Sequence, residues 1–562
     1  MGSLRGALAH RPPFAGLAVA LVCWCFSLWP SMLPRSWIVQ AAVSAVCVVV
    51  GYGIGTLIGW LVHVILDRRH WQLGTRVRRA AWATLGAAAM VAVAAGVVLW
   101  PRWQNNQRGL VELPRISALQ VVPAFATTAA LIAVVGMGFR VVWWQIRSVD
   151  RWFNRRVSGP SAVVLTAVIV TIAAQLVVRH VVWDSFRSWA NNVYSSSDRG
   201  TDGGIVRPTT ANVSGSTASL VPWDTLGRQG RSFVAGATTR AELRAFHGTP
   251  AKFDVPLRVY VGTRSASSLD EQAALAVREL ERTGAFDRAV LVVATATGTG
   301  WIDPDAATAI EQLYGGDSAI VSIQYSYLPS WVAFLIDGKA SAPAGSVLFN
   351  AVYQAWARRP ATARPKLLVF GESLGSYGAE AAFAGFDART SLANLVARTD
   401  GALFAGPVST NVIWGQLVRE RAPGSPAWRP VFHQGFEAAH VFTRSADLIR
   451  RDTTWAEPRV AYLVYPSDPV PVLGLQTLWS PPAWTEEPKA YDIPDRARWF
   501  PIITGVQSVG DLVNGFYAAP GHGHNYDLDF VGGWANVTSP DGWTDADTAR
   551  LRSFLAESRR SG

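Results

Sequence analysis

Five stretches in the first third of the chain, near residues 14–29, 38–66, 80–100, 119–139 and 161–178, run without a formal charge. Each approaches the length that crosses a hydrocarbon core of roughly 30 Å at 1.5 Å per helical residue. A backbone inside lipid must satisfy its own hydrogen bonds, so such stretches fold as helices, and residues 1–183 are expected to form a transmembrane region of about five spans. The composition, 50% hydrophobic and 16% charged, points the same way. The first stretch is the shortest and stops at Pro30. No small-residue cleavage site follows it, and Ser31–Ser36 reads as a tight turn into the second span, so a span is favoured over a signal peptide. Trp29, Trp37, Trp100, Trp103, Trp143, Trp144 and Trp183 fall at the proposed membrane interfaces, where aromatic belts form.

Arginines orient the helices. The N-terminus and the loops after the second and fourth spans hold eleven, among them Arg68, Arg76 and Arg147, against six on the opposite side. The positive-inside rule places the N-terminus in the cytoplasm, and an odd number of spans places everything after about residue 184 outside. These loops also account for the net charge of +11, so no nucleic-acid partner is expected. Gly51, Gly55 and Gly59 either make a smooth face for helix packing or are scatter in a glycine-rich chain. With only His63 and Arg140 ionisable in the spans, the bundle reads as an anchor rather than a transport pathway. Cys23, Cys25 and Cys47 all lie in spans, which leaves the remainder without a disulfide, thiol nucleophile or thiolate metal site.

Residues 184–218 pass into a Gly/Ser/Thr-rich tract with little periodic apolar content and are expected to form a mobile tether. Over 219–562 the pattern becomes strand and helix in alternation. Strands are predicted at 257–261, 289–293, 319–323, 367–370, 401–405 and 460–464, with intervening helices, which implies a mostly parallel, doubly wound sheet of α/β-hydrolase order.

Gly371-Glu-Ser373-Leu-Gly375 follows one of these strands and precedes a helical segment. This is the setting of a G-x-S-x-G nucleophile elbow, where the turn that lifts the serine is strained and larger flanking residues would collide with strand and helix. An acid and then a histidine should follow. Asp468, at the carboxyl end of strand 460–464, fits the acid. Pro520-Gly-His522-Gly-His524-Asn-Tyr526 is a glycine-hinged loop able to bring a histidine to the serine. By analogy with hydrolases carrying Gly-His-Gly before an apolar residue, His522 is preferred as the base, with His524 in support. A metal site on the two histidines lacks a third ligand of evident spacing, so neither metal nor cofactor is expected. The oxyanion hole should use the Leu374 amide and one of Thr295, Ala296 or Thr297, in the glycine-bearing loop after an earlier strand. Glu372 reads as a supporting polar residue.

Several stretches carry a family resemblance: Ser219–Arg228, Thr297–Trp301, Gln324–Trp331, Gly371–Gly375, Pro466–Pro469 and Gly521–His524. In these the chain resembles bacterial, actinobacterial-type, membrane-anchored α/β-hydrolases that join an N-terminal multi-helix region to a C-terminal hydrolase domain. The resemblance implies a nucleophile, acid and base at Ser373, Asp468 and His522 or His524, and implies no substrate. The expected activity is cleavage of an ester or related acyl bond through an acyl-enzyme, with the bilayer as partner and lipid or cell-envelope esters as candidate substrates. An acyltransferase using the same triad, or a non-catalytic membrane scaffold, would carry the same sequence features.

Overall fold

The uncharged stretches fold as helices. The computed structural model describes residues 13–68, 74–153, 175, 179–180, 184–248, 253–329, 332–333, 340–452 and 454–561. They fall into two units, Met1–Arg179 with Leu473–Ala519, and His180–Val472 with Pro520–Gly562. In the first unit α1 (Phe14–Ser27), α2 (Trp37–Arg68), α3 (Thr75–Leu110) and α4 (Val121–Phe153) follow one another. Among the described residues three segments, Trp37–Ile65, Thr75–Leu110 and Ala118–Val141, are long and apolar enough to cross a membrane. The 14 residues of α1 reach only about 21 Å, short of a full hydrocarbon core. The fifth expected span, 161–178, lies outside the described residues save Gln175.

The turn between α1 and α2 would leave carbonyls bare, and a polar knot answers them. Arg35, fully buried, donates to the Ser27 carbonyl at 3.0 Å and the Trp29 carbonyl at 2.7 Å. Its own amide donates to Gln104 of α3 at 2.6 Å, and Gln107 of α3 donates to the Ser31 carbonyl at 3.0 Å.

The second unit opens with α5 (Asp184–Arg199), a helix where the sequence suggested a mobile tether. Phe186, Ala190 and Tyr194, spaced four apart on one face, join Leu328 and Leu374 in an apolar cluster. Asp198 accepts from Gln324 at 2.9 Å and from the Arg228 amide at 3.2 Å. Val213 then pairs with Arg258 of the sheet in parallel, so the tract is folded onto this unit at several points. The tether expectation failed because the few anchoring residues are diluted among serines and glycines.

The sheet has β1 (Leu257–Val261), β2 (Val290–Thr295), β3 (Ser318–Ile323), β4 (Lys366–Glu372), β5 (Gly401–Ala405), β6 (Ala439–Phe442) and β7 (Arg459–Leu463). All seven are parallel, in the order β1-β3-β2-β4-β5-β7-β6. Around and between them lie α6 (Gly227–Ala235), α7 (Arg240–His247), α8 (Leu269–Thr283), α9 (Pro304–Leu313), α10 (Ser341–Ala357), α11 (Leu374–Ala381), α12 (Ala388–Val396) and α13 (Val412–Arg419). This is the expected α/β-hydrolase class of fold. Every residue of β1, β2, β3, β5 and β7 is buried, which is why those strands read as mostly apolar runs with no polar alternate face.

The expected uninterrupted domain over 219–562 is broken. Leu473–Ala519, with the short α14 (Ala483–Glu486) and α15 (Ile503–Gly515), belongs to the helical unit. The chain then returns to the sheet unit for α16 (Asp529–Thr538) and α17 (Asp545–Ser561). Trp534 of α16, 1% exposed, donates to the Ala306 carbonyl of α9 at 3.0 Å.

On β1, Arg258 is buried against Glu311 of α9, with nitrogen to oxygen distances of 2.6 and 2.9 Å. Glu311 also accepts from the Thr238 amide at 3.0 Å and its hydroxyl at 2.5 Å. Glu311→Ala strands a buried guanidinium and is expected to cost about 3–5 kcal/mol. Arg258→Met with Glu311→Leu should recover most of that. Chemical denaturation of the detergent-solubilised full chain, followed by tryptophan fluorescence, checks both.

Candidate active site

The turn from β4 into α11 is governed by lack of room. A Cβ on Gly375 would lie 2.3 Å from the Thr295 carbonyl oxygen, so only glycine lets the first turn of α11 press against the carboxyl end of β2. Ser373, between strand and helix, is forced to φ 53° and ψ −127°, a conformation that L residues adopt at a cost on the order of 1–3 kcal/mol. Its amide donates to the Ala405 carbonyl of β5 at 2.9 Å, and its carbonyl accepts from the Ser376 amide at 3.0 Å and hydroxyl at 2.6 Å. Glu380, buried further along α11, accepts from the Ile413 amide at 2.8 Å and the Tyr462 hydroxyl at 2.9 Å, which ties the helix to α13 and β7. Burial pushes this carboxyl up to about 7, against those hydrogen bonds.

Asp468 lies just past the end of β7 and is 1% exposed. Its Oδ1 accepts from the Val470 amide at 2.9 Å. Its Oδ2 takes two partners, His524 Nδ1 at 2.7 Å and the Tyr526 hydroxyl at 2.7 Å. A carboxylate only accepts, so Nδ1 of His524 is the donor in this bond, and Nε2 is the ring nitrogen that does not face the aspartate. The aspartate's partner is therefore His524, whereas sequence analogy preferred His522. His522 sits at the start of the same tight turn, its carbonyl accepting from the Asn525 amide at 3.3 Å. Gly521 and Gly523, at φ 87° and 57°, shape the turn. Ser467 holds it by accepting from the Gly523 amide at 2.9 Å.

Serine and histidine converge on Gly406, the residue after β5. Ala405 receives the Ser373 amide, while a Cβ on Gly406 would lie 2.3 Å from Cε1 of the His524 ring. The imidazole thus rests on bare backbone beside the elbow. Leu374 opens α11, where the first amides of a helix lack partners within it. Of the three residues proposed to face it, Thr297 donates its amide to the Trp301 carbonyl at 3.0 Å, and Thr295 lies within β2 in register with Gly371. Ala296 lies between them, beyond the end of the strand.

Two roles were not read from the sequence. Tyr526 shares the aspartate with His524 and stacks on Tyr465 at 4.6 Å between centroids, and Ser467 braces the histidine turn. The signal for Tyr526 was its place two residues after His524, in the same glycine-hinged loop. Behind the elbow, Glu372 is buried and its Oε2 has no hydrogen-bond partner among the described residues. Burial first, then the charges of Asp303, Asp305 and Asp468, hold its carboxyl well above the ordinary range. Asp303 caps α9 by accepting from the Asp305 and Ala306 amides at 2.7 and 3.0 Å, and burial beside Asp305 pushes it up to about 7. Among the described residues no cluster of three or more His, Cys, Asp or Glu side chains could hold a metal ion.

A buried carboxyl with a raised pKa favours folding below its unfolded value of about 3.9 and loses that contribution as pH rises through its folded value. For Asp303 that window runs from about 4 to about 7. Asp303→Asn keeps the helix cap and cannot ionise. Its Tm should match the parent's near pH 4 and exceed it at pH 8, by an amount corresponding to roughly 1–3 kcal/mol. Thermal unfolding across that range checks this, and a pH-independent difference would contradict it.

A family model described as "Alpha/beta-hydrolase family" matches residues 257–551, and one described as "Alpha/beta-hydrolase family N-terminus" matches residues 28–237. No curated protein and no solved structure matches the chain. The first match takes in the whole sheet, the strained serine and the aspartate-bound histidine, and with it the chain belongs to the alpha/beta-hydrolase family.

Proposed function

We propose that the chain is a membrane-anchored serine hydrolase that cleaves an ester or related acyl bond, with Ser373 as nucleophile, His524 as general base and Asp468 as its orienting acid. The observation that carries this reading is the Asp468–His524 bond at 2.7 Å on a ring seated against Gly406, next to a serine at φ 53°. In the first step Ser373 Oγ bonds to the acyl carbon while its proton passes to His524 Nε2, and the carbonyl electron pair moves to oxygen. The Leu374 and Ala296 amides are the donors for that oxyanion. Collapse breaks the bond to the leaving alcohol, which takes the proton from His524. Water then bonds to the acyl carbon while giving a proton to His524, and the acid leaves as Ser373 Oγ takes that proton back.

The long apolar helices support membrane association, and lipid or cell-envelope acyl esters are the substrates within reach of a domain so attached. The arginine asymmetry supports a cytoplasmic N-terminus and an extracytoplasmic hydrolase domain. A reporter fused after Gly562 should then be active only outside the cytoplasm.

A fluorophosphonate probe should label the wild-type chain and leave Ser373→Ala unlabelled. His524→Ala should lower kcat/KM for a short p-nitrophenyl ester by about 10³-fold or more, whereas His522→Ala should change it far less. Equal labelling of wild type and Ser373→Ala, or a larger loss at His522, overturns the assignment.

A further inference from the structure

Helix α15 is built inside out. Its polar side chains Thr504, Gln507, Ser508 and Asp511 are buried. Its exposed residues are apolar, Val509 at 58% and Val513 at 47%, and Phe516 and Tyr517 just beyond its end are 45% and 77% exposed. These fall at i, i+4, i+7 and i+8, one stripe on a helical surface. In a helix facing water the two sets would be exchanged. Across Trp499–Ala519 the one charged residue is Asp511, and it turns inward to accept from the Ser31 hydroxyl at 2.7 Å and the Met32 amide at 3.2 Å.

The partners of α15 fix where this stripe lies. Ile503 packs with Val43 and Cys47, in the second and third turns of α2. A Cβ on Gly510 would meet Val43 at 2.8 Å and Val39 at 3.1 Å, and Asn514 accepts from the Ser36 amide at 3.5 Å. The helix therefore runs antiparallel to the first three turns of α2, inside the segment apolar enough to cross a membrane. Gln507 donates to the carbonyls of Phe26 at 3.2 Å and Trp29 at 3.0 Å, and Phe500 stacks on Phe26 at 4.3 Å. Ile38, Val46 and Val49 of α2 are exposed in their turn, so the stripe continues an apolar surface of a spanning helix.

Thirteen residues of helix span about 20 Å, too little to cross the hydrocarbon core. A helix that enters without crossing must turn back, and the turn precedes α15. Ile502 has φ 66° and ψ −49°, and the Ile503 amide donates back to the Pro501 carbonyl at 2.7 Å, closing a three-residue turn of the strained hand. It sits next to Ile503, the part of α15 packed farthest along α2. The preceding residues 486–498 hold the charges Glu486, Glu487, Lys489, Asp492, Asp495, Arg496 and Arg498, suited to a polar interface.

We propose that residues 499–517 form a re-entrant membrane element, with the stripe Val509, Val513, Phe516 and Tyr517 covered by lipid acyl chains of one leaflet. In such a site the backbone groups freed at a turn need protein partners, and Arg35, Gln507 and Asp511 supply them at the α1–α2 turn.

The test uses the full chain in phosphatidylcholine nanodiscs, with Cys23, Cys25 and Cys47 replaced by alanine and a nitroxide attached to Val513→Cys. Val509→Cys is the second position, and Asp495→Cys is the polar reference. Labels at 513 and 509 should be relaxed several-fold more by oxygen than by an aqueous nickel chelate, with the order reversed at 495. Equal chelate access at 513, 509 and 495 would put the stripe in water and overturn the proposal. Dipolar broadening with access to neither reagent would assign it to a second copy of the chain, which also overturns it. No outcome depends on catalysis, so the result stands apart from the fluorophosphonate experiment.

Discussion

The absence of a side chain at Gly375 is the constraint on which the site depends. Because nothing separates the first turn of α11 from the Thr295 carbonyl, helix and strand close to contact, and the one residue left to make the corner takes a backbone conformation it would otherwise avoid. That closeness sets the other pieces. The Ser373 amide finds Ala405, the opening amides of α11 face the end of β2, and the next strand contributes Gly406 as a floor for the imidazole. The surrounding bonds from Ser376 and Glu380 hold the corner against relaxation.

Electrostatics divides the buried acids by their hydrogen bonds. Asp468 accepts from three donors, the Val470 amide, the His524 ring nitrogen and the Tyr526 hydroxyl. Glu372, one residue before Ser373, has an Oε2 with no hydrogen-bond partner among the described residues, and burial, then the charges of Asp303, Asp305 and Asp468, hold its carboxyl well above the ordinary range. The carboxyl bonded to the imidazole is that of Asp468. Tyr526 adds to this. Burial, and then the Asp468 carboxylate, raises its own pKa, so its hydroxyl stays a donor.

Much of this was legible in the sequence, for identifiable reasons. Parallel strands buried on both faces give mostly apolar runs, and six of the seven were visible as such; β6, the four-residue edge strand Ala439–Phe442 with His440 in it, gives none. The elbow was legible because its glycines are required by contacts. The choice between His522 and His524 was not, since both lie in one glycine-hinged loop and only the turn that brings Nδ1 to Asp468 separates them. Helix α5 was hidden by polar composition, its three packing residues spaced among serines and asparagines. The excursion Leu473–Ala519 was hidden by sequence position, since it lies between Asp468 and His524 yet bonds to the α1–α2 turn 480 residues earlier.

That placement has a consequence for the order of assembly. Fifty-five residues separate Asp468 from His524, and most of them complete the helical unit. Closing so long a loop carries an entropic penalty that is met only when the interior of the loop finds its own partners. Helices α1 and α2 emerge first during synthesis and the sheet strands follow, so α15 and the His524 loop are the last of these to leave the ribosome. The Asp468–His524 bond thus closes a loop whose interior is held by the helical unit, and every contact made by α15 there removes freedom that the bond would otherwise have to remove itself.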